Sequence, residues 1–545
     1  MHKAPIYIIG TGLSHNGSAV LLKDGEICVG IEKERITRIK HDGGNDTQAI
    51  QYCLDTAGIT LEDVSLVVQC ANFEIPNRER YKGDRIFSSN PHPPLISISH
   101  HLAHAYSAAG TCPYNECAIM VIDGCGSPIE QCIDTNSGQI TISDEIGLHC
   151  EKDSFYHFDG QKITTLFKDF SILAKPNTNH PLKMNTTKHS IGGFYATLSN
   201  YVFGNLDDVG KLMGLAPFGQ AKEIKLEAFD LSHGTIKLKD NWLDAFNRPF
   251  VNYTDFKANF QYYANVAAWA QNQVEKAVTY CFKSRLAKFP HQNVCYTGGV
   301  ALNAVANAKL LNEGTVSNLY LEPAAGDNGL ALGCAFYGWL AVMEKPKVET
   351  NGNTCFGKTY IEKDTGPSEE ILEKTALALA AGKTVGWFQG GSEFGPRALG
   401  HRSILAHPGI EGLADHINSN IKFREDFRPF APVILAEFAS KYFVYGRPSP
   451  YMILIDQTKQ EYRKELRNVT HVDGSSRLQT IQKEWNPALE RLLRKFHHIT
   501  GIPVLLNTSF NKKGMPIVEL PEQAQKLFDE TALDILVIND TWIAK

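Results

Sequence analysis

An α/β fold in two domains, the first of them internally duplicated, is what three observations in this 545-residue chain predict. A module of strand, glycine-punctuated loop, strand, turn and strand opens the chain and recurs from residue 118. Strand-like apolar runs then alternate with helical patterns, the order of strands joined by helical crossovers. A turn-rich stretch over residues 345–365 interrupts that alternation before it resumes, which sets domains at 1–350 and 356–545.

Residues 6–10 read as a buried strand ended by Gly10-Thr11-Gly12, and residues 18–22 and 26–31 flank the hairpin signal Lys23-Asp24-Gly25. The second copy runs through 118–122, the loop Asp123-Gly124-Cys125-Gly126, then 129–133, a turn near Asn136-Ser137-Gly138, and 140–143. Duplication of this kind marks the actin/Hsp70/sugar-kinase (ASKHA) ATPase fold, whose halves each open with such hairpins and bind phosphates between them. Glycines let backbone N–H groups approach a phosphate, so Gly124 and Gly126 are candidate nucleotide contacts.

Ahead of the second copy, Ser99 suits an N-cap and residues 101–109 are good helix formers. His100 and His104 then lie four apart on one helical face. Asp123, at the end of an apolar strand, can complete a two-His, one-carboxylate set, which suits Fe(II) with open positions. Two ordinary histidines and a capping Asp explain the same residues at this stage. A zinc-protease helix would need Glu beside the first His, and position 101 is His.

Residues 190–204 look helical and lead to Gly210-Lys211-Leu212-Met213-Gly214, where Lys211 can reach a phosphate or serve as a plain loop lysine. A long helix spans about 262–286. Strand 294–296 precedes Thr297-Gly298-Gly299 and a helix start at Val300-Ala301-Leu302-Asn303. A helix N-terminus there suits a nucleotide, which adds Gly298, Gly299 and Asn303 to the candidates. After strand 319–321, Asp327 repeats the placement of Asp123 and is the candidate fourth ligand.

The second domain begins with helix 368–381 and strand 384–388, then a glycine-rich loop over 390–403 that holds Arg397 and Arg402. Residues 417–430 concentrate cations and aromatics, and Arg477 and strand 503–506 follow. Arg presents paired planar donors that match phosphate or carboxylate. A solvated surface explains Lys464 or Arg494; Arg397, Arg428 and Arg477, hemmed by Gly, Pro or apolar neighbours, point instead to an anion pocket.

A net charge of −5 gives no global field for nucleic acid or an anionic membrane, although residues from 356 onward carry 24 Lys and Arg against 23 Asp and Glu. All twelve cysteines fall between Cys28 and Cys355 without C-x-x-C zinc spacing. Cys28, Cys70 and Cys295 read as small buried hydrophobes. The N-terminus predicts neither signal peptide nor membrane span, so a reducing cytoplasmic setting is expected.

Taken together, several segments resemble the O-carbamoyltransferases, the family of nodulation protein U and of the cephalosporin and tobramycin carbamoyltransferases. They are Gly10 to Arg38, His100-His101-x-x-His104-Ala105, Gly210-Lys211-x-Met213-Gly214-Leu215-Ala216-Pro217 and Thr297-Gly298-Gly299-Val300-Ala301-Leu302-Asn303. Gly395-Pro396-Arg397-Ala398-Leu399-Gly400, Arg428-Pro429-Phe430-Ala431-Pro432 and Leu506-Asn507-Thr508-Ser509-Phe510-Asn511 complete the set, in the family's order along nearly the whole chain.

The resemblance implies an ATPase-like first domain with a mononuclear Fe2+ on His100, His104, Asp123 and Asp327, and a YrdC-like second domain. It implies a carbamoyl phosphate pocket of Arg397, Lys422, Arg428, Arg477, Asn507 and Ser509. It also implies the reaction: carbamoyl phosphate and ATP, with Mg2+, give a carbamoyl-adenylate whose carbamoyl group passes to the hydroxyl of a small-molecule acceptor at the iron, such as a natural product or sugar. Where the family usually has Asp after Ser14-His15, this chain has Asn16. His15 is the expected acceptor base, with Asp208 as the alternative, and Lys40 is placed to hold the adenylate phosphate. No nucleic-acid or membrane partner is expected, and a homodimer is left open. A small-molecule kinase or a non-catalytic nucleotide-gated protein would share the glycines, but neither needs the His pair together with Arg397, Lys422, Arg428 and Arg477.

Overall fold

The computed structural model describes residues 4–14, 16–44, 47–71, 93–174, 184, 186–360, 366–481 and 483–545. The chain divides into two compact units, Met1–Cys28 with Gly43–Thr350, and Val29–Asp42 with Asn351–Lys545.

The first unit is built on two sheets. Strands β1 (Tyr7–Leu13), β2 (Ser18–Lys23), β3 (Glu26–Glu32), β4 (Val64–Ala71) and β5 (Leu95–Ile98) lie in the order β3-β2-β1-β4-β5, with β3 counted in the first unit only as far as Cys28. Strands β6 (Cys117–Ile122), β7 (Gln139–Ile142), β8 (His149–Phe158) and β9 (Ile163–Ile172) belong to the other sheet. A separate hairpin, β10 (Phe229–Ser232) and β11 (Thr235–Leu238), precedes its last members β12 (Asn293–Thr297) and β13 (Asn318–Leu321), and the order is β13-β12-β6-β8-β9-β7. In each sheet the leading strand pairs antiparallel with a hairpin strand on one side and parallel with a later strand on the other: β1 with β2 and β4, β6 with β8 and β12. The duplication expected from the sequence is therefore present.

Its second hairpin is not where the sequence placed it. Ile129–Gln131 is a single 3-10 turn, and β7 pairs with β9 at the sheet edge. Residues 134–138 are all turn formers, whereas β8 and β9 carry the apolar payload, with Phe155, Tyr156, Phe158, Phe167 and Phe170 all buried. The hairpin forms where it buries most surface. The first Gly-x-Gly also differs from expectation: β1 runs straight through Gly10-Thr11-Gly12. A side chain at Gly10 would collide with the Ala331 carbonyl in the helix Leu330–Tyr337. These glycines set the helix–sheet distance.

The second unit surrounds one mixed sheet. Strands β14 (Val385–Phe388), β15 (Arg402–Ala406), β16 (Ala431–Leu435), β17 (Leu454–Gln457), β18 (Ser475–Ile481), β19 (Val504–Ser509), β20 (Ile535–Ile538) and β21 (Thr541–Ala544) take the order β17-β18-β16-β19-β15-β14-β20-β21. Alternate residues face opposite sides. Phe388, Ile404, Ile434 and Leu506 enter one core, and Val385, Trp387, Leu405, Val433 and Leu505 the other. The helices Glu369–Ala380 and Pro487–Thr500 cover the second core. Ser368 caps the former as an N-cap, its hydroxyl accepting from Ile371 N.

Residues 29–42, which the sequence reading assigns to the first domain, belong to the second unit. Arg35 is fully buried there, ion-paired with Glu32 and donating to the Gly395 carbonyl at 2.8 Å. Arg38 donates to the carbonyls of Ile517 at 2.6 Å and Pro516 at 2.7 Å. Among the described residues no helix is long and apolar enough to cross a membrane.

Candidate functional site

In the first unit the helix His100–Thr111 is buried along its whole length. Its four-residue spacing brings His100 Nε2 and His104 Nε2 to 3.1 Å of each other. Asp123, directly after β6, places Oδ2 2.8 Å from His100 Nε2 and 3.6 Å from His104 Nε2. Asp327, in the turn Asp327–Gly329, places Oδ1 at 3.5 and 4.0 Å from the same two nitrogens. One ligand atom from each of the four residues lies within 4.8 Å of the others, so all four predicted ligands converge.

Burial alone would push the His100 imidazole down, yet the charge of Asp327 and the hydrogen bonds that Asp123 and Asp327 accept from it together hold it well above its ordinary value. Burial likewise raises the Asp123 carboxyl, and its bonds to His100 and His104 outweigh that and bring it down. Two imidazoles and two mutually repelling carboxylates aimed at one point form a donor set that fits a divalent transition-metal ion.

Ser99 does not cap this helix as expected; its hydroxyl turns to Asp134 Oδ1 at 3.2 Å. The helix start is held instead by Ser127 Oγ, which accepts from His100 N at 2.9 Å, and by Glu151 Oε2, which accepts from His101 N at 3.1 Å and Ser127 N at 2.8 Å. Glu151 is fully buried and pairs with Lys168 at 2.7 Å. Glu151→Ala leaves Lys168 paired with Asp134 at 2.5 Å but strands the buried N–H groups of His101 and Ser127, so it is expected to destabilise the protein by about 1–3 kcal/mol for each of them in denaturant unfolding. The sequence reading passed over Glu151 and Lys168; an acid and a lysine inside two aromatic-rich strands were the available signal.

The candidate nucleotide residues are placed unevenly. Gly298 adopts a left-handed φ of 88° and Gly299 N donates to Asp123 Oδ1 at 3.1 Å, so that turn reaches the His–Asp cluster. Asn303 is the N-cap of the helix Ala304–Asn312, accepting from Ala306 N at 3.0 Å. A side chain at Gly126 would meet Glu151 at 2.6 Å, while Gly124 accepts from Ser190 Oγ through its carbonyl at 2.7 Å. Lys211 lies on the helix Val209–Leu215, not in a loop, and pairs with Asp208 at 2.7 Å. Lys40 is tied to Glu34 at 3.0 Å in the second unit. His15 lies outside the described residues.

The second unit gathers its cations. Burial, then the charge of Arg428, pushes Arg397 down to about 10. Burial and then Arg424 and Arg428 hold Lys422 well below its usual range; burial and then Arg397, Arg424 and Arg428 do the same to Arg477. The Nε atoms of Arg397 and Arg477 are buried without a hydrogen-bond partner among the described residues. Lys422 donates to the Ser509 carbonyl, to Ser509 Oγ at 3.2 Å and to Asn511 Oδ1 at 2.7 Å, all neutral groups. Glu425 stands 3.7 Å from Arg428, and it is also engaged by Lys513 at 2.6 Å. Arg424, absent from the predicted set although two residues from Lys422, stacks over Phe430 at 4.4 Å.

The Arg397 loop is held by Glu393, whose Oε1 accepts from the backbone N–H of Leu399, His401 and Arg402 at 2.6, 2.8 and 3.3 Å. Asn507 Nδ2 donates to the Ala398 carbonyl at 3.1 Å and to Gln479 Oε1 at 2.7 Å, and Gln479 Nε2 donates to the Leu399 carbonyl at 2.8 Å. Two backbone carbonyls thus fix both amides, and Asn507 Oδ1 is left buried without a partner among the described residues.

Comparison with known sequences gives the family. The family description "Carbamoyltransferase N-terminus" matches residues 7–84 and 80–336, and "Carbamoyltransferase C-terminus" matches residues 376–545. The chain belongs to the carbamoyltransferase family. This carbamoyltransferase is 30% identical to nodulation protein NolNO of Sinorhizobium fredii over 97% of its own length and 79% of that protein's. It is 32% identical to 3'-hydroxymethylcephem-O-carbamoyltransferase of Streptomyces clavuligerus over 62% of its length and 65% of that protein's. With the enzyme of the same name from Amycolatopsis lactamdurans it shares 27% identity over 97% of both chains. As a member of this family the protein is a transferase of carbamoyl groups.

Proposed function

We propose that this protein carbamoylates a hydroxyl of a small molecule in two reactions, one in each unit. In the second unit, carbamoyl phosphate loses its phosphate to water, and an oxygen of the resulting carbamate attacks the α-phosphorus of ATP. Pyrophosphate leaves and carbamoyl-adenylate remains. In the first unit, the acceptor oxygen attacks the carbamoyl carbon, the carbon–oxygen bond to the AMP phosphate breaks, and the acceptor proton passes to a base.

The cation cluster of the second unit carries this reading. Burial depresses Arg397, Lys422, Arg424 and Arg477, the charge of Arg428 adds to the effect on each, and Glu425 opposes it at Arg424. Buried like charges are tolerable when an anion of high charge joins them, and phosphoryl groups offer the most acceptors for arginine. The fixed amide of Asn507 adds a buried acceptor that suits the carbamoyl NH2, a group an acyl phosphate such as acetyl phosphate lacks.

In the first unit His100, His104, Asp123 and Asp327 would hold a divalent cation, Fe2+ by the family resemblance, which when bound supplies Lewis-acid polarisation of an oxygen. The Gly298-Gly299 turn, bonded to Asp123, is suited to lead a nucleotide phosphate to the same place. The acceptor proton goes to His15, with Asp208 as the alternative. His15→Ala is then expected to lower acceptor carbamoylation about 10²–10⁴-fold and to spare adenylate formation; normal transfer in this variant beside a loss in Asp208→Asn assigns the base to Asp208.

The reading is tested by incubating the protein with ATP, Mg2+ and carbamoyl phosphate and separating the products. AMP and pyrophosphate that form only when carbamoyl phosphate is present are expected. ADP as the product would make the protein a kinase, and no carbamoyl-dependent product would make it a nucleotide-gated partner.

A further inference from the structure

Three thiols outside both sites meet in the first unit. Cys112 closes the helix His100–Thr111, Cys117 opens β6, and Cys295 lies within β12. Each is at most 1% exposed, and their sulfurs lie within 4.8 Å of one another, Cys117 and Cys295 at 3.5 Å. The Lys347 ammonium stands 3.3 Å from Cys112 Sγ, anchored by the carbonyls of Cys112 at 2.6 Å and Tyr114 at 2.8 Å.

We propose that Cys112, Cys117 and Cys295 form a second metal site in this chain, for a soft divalent ion of the zinc class. Thiolate sulfur selects such ions over the hard cations that prefer oxygen. The charges balance: three thiolates, one divalent ion and the Lys347 ammonium leave a buried site with no net charge, and the thiol protons go to solvent on binding. A Cys117–Cys295 disulfide fits less well. Cys295 is in register with Ile119, two residues along from Cys117, which separates the two Cα atoms by roughly 8 Å. That exceeds the disulfide reach of about 7 Å. An ion has a short way in, because Pro113, Asn115 and Glu116 just above the cluster are exposed. Three sulfurs also leave a fourth tetrahedral position for water.

The placement suggests what the ion does. The helix begins with His100 and His104 and ends at Cys112, and β6 begins at Cys117 and ends beside Asp123. β12 carries Cys295 and leads into the Gly298-Gly299 turn. The ion clamps the helix and β6 at their ends away from the His–Asp cluster, and β12 at its middle.

The full-length protein, stripped of metal under reductant, is titrated with Cd2+ while the ultraviolet thiolate-to-metal charge-transfer band is followed. Imidazole and carboxylate give no such band, so the His–Asp cluster is silent. The band is expected to saturate within two equivalents in the wild type, where the silent His–Asp cluster takes up the other ion, and at one equivalent in His104→Ala, and to be lost in Cys295→Ala and Cys117→Ser. Bound Cd2+ should also protect three of the twelve thiols from a disulfide reagent. Absence of the band in the wild type at three equivalents, past the capacity of both clusters, overturns the proposal and makes the trio a packing cluster. A band undiminished in both variants overturns it too, by assigning the ion to other cysteines. The wild-type titration decides even if a variant fails to fold.

Discussion

Arg477→Ala is expected to stop carbamoyl phosphate-dependent pyrophosphate release and, in the same protein without ligand, to raise the melting temperature. Both follow from one feature. Burial and the charges of Arg397, Arg424 and Arg428 all disfavour the Arg477 cation, so the empty pocket is electrostatically strained. Removing one guanidinium relieves that repulsion. With substrate bound, the loss of two charge-assisted hydrogen bonds at about 1.5–3 kcal/mol each lowers turnover by about 10²–10⁴-fold. Pyrophosphate assays and thermal melts measure the two effects. A lowered melting temperature with most activity retained would show that Arg477 is structural.

His104→Ala is expected to divide the activities the other way. The purified wild-type chain should carry one transition-metal ion on the His–Asp cluster, and the variant none, because one of two facing imidazole nitrogens is gone. Acceptor carbamoylation should fall about 10²–10⁴-fold, the several kcal/mol that Lewis-acid stabilisation supplies. Pyrophosphate release should remain, since its residues belong to the second unit. His104→Gln, closer in volume to the buried imidazole, separates loss of the ligand from loss of packing. Wild-type metal content in both variants would remove the cluster from the account.

Where local pattern decides structure, the sequence was readable. His-x-x-x-His on a helix, Asp after an apolar strand and Asp in a glycine turn converge as their periodicities require. The helix starts near residues 190 and 368 were likewise legible, although Ser99, the one cap the sequence assigned, does not cap its helix. What was not legible depends on distant packing. Gly10 and Gly12 look like a phosphate loop until the helix Leu330–Tyr337 lies against β1. Residues 129–143 alternate like strands, yet the hairpin forms where the aromatic residues of β8 and β9 can be buried. The basic stretch after Glu32 carries no mark that Arg35 and Arg38 belong with residues from 395 and 516 onward. Arg424 stood in plain view two residues from Lys422, but only the effect of its charge on Lys422 and Arg477 shows that it joins them.

The central claim is that an oxygen of carbamoyl phosphate becomes bonded to the α-phosphorus of ATP. It is tested most directly with carbamoyl phosphate carrying heavy oxygen in its carbonyl group, incubated with the protein, ATP and Mg2+, and mass analysis of the AMP formed. When the carbamoyl–oxygen bond of the adenylate breaks, by transfer or by water, the former carbamate oxygen stays with phosphorus, so the account predicts AMP enriched in heavy oxygen. Unlabelled AMP, formed at the same rate, would contradict it.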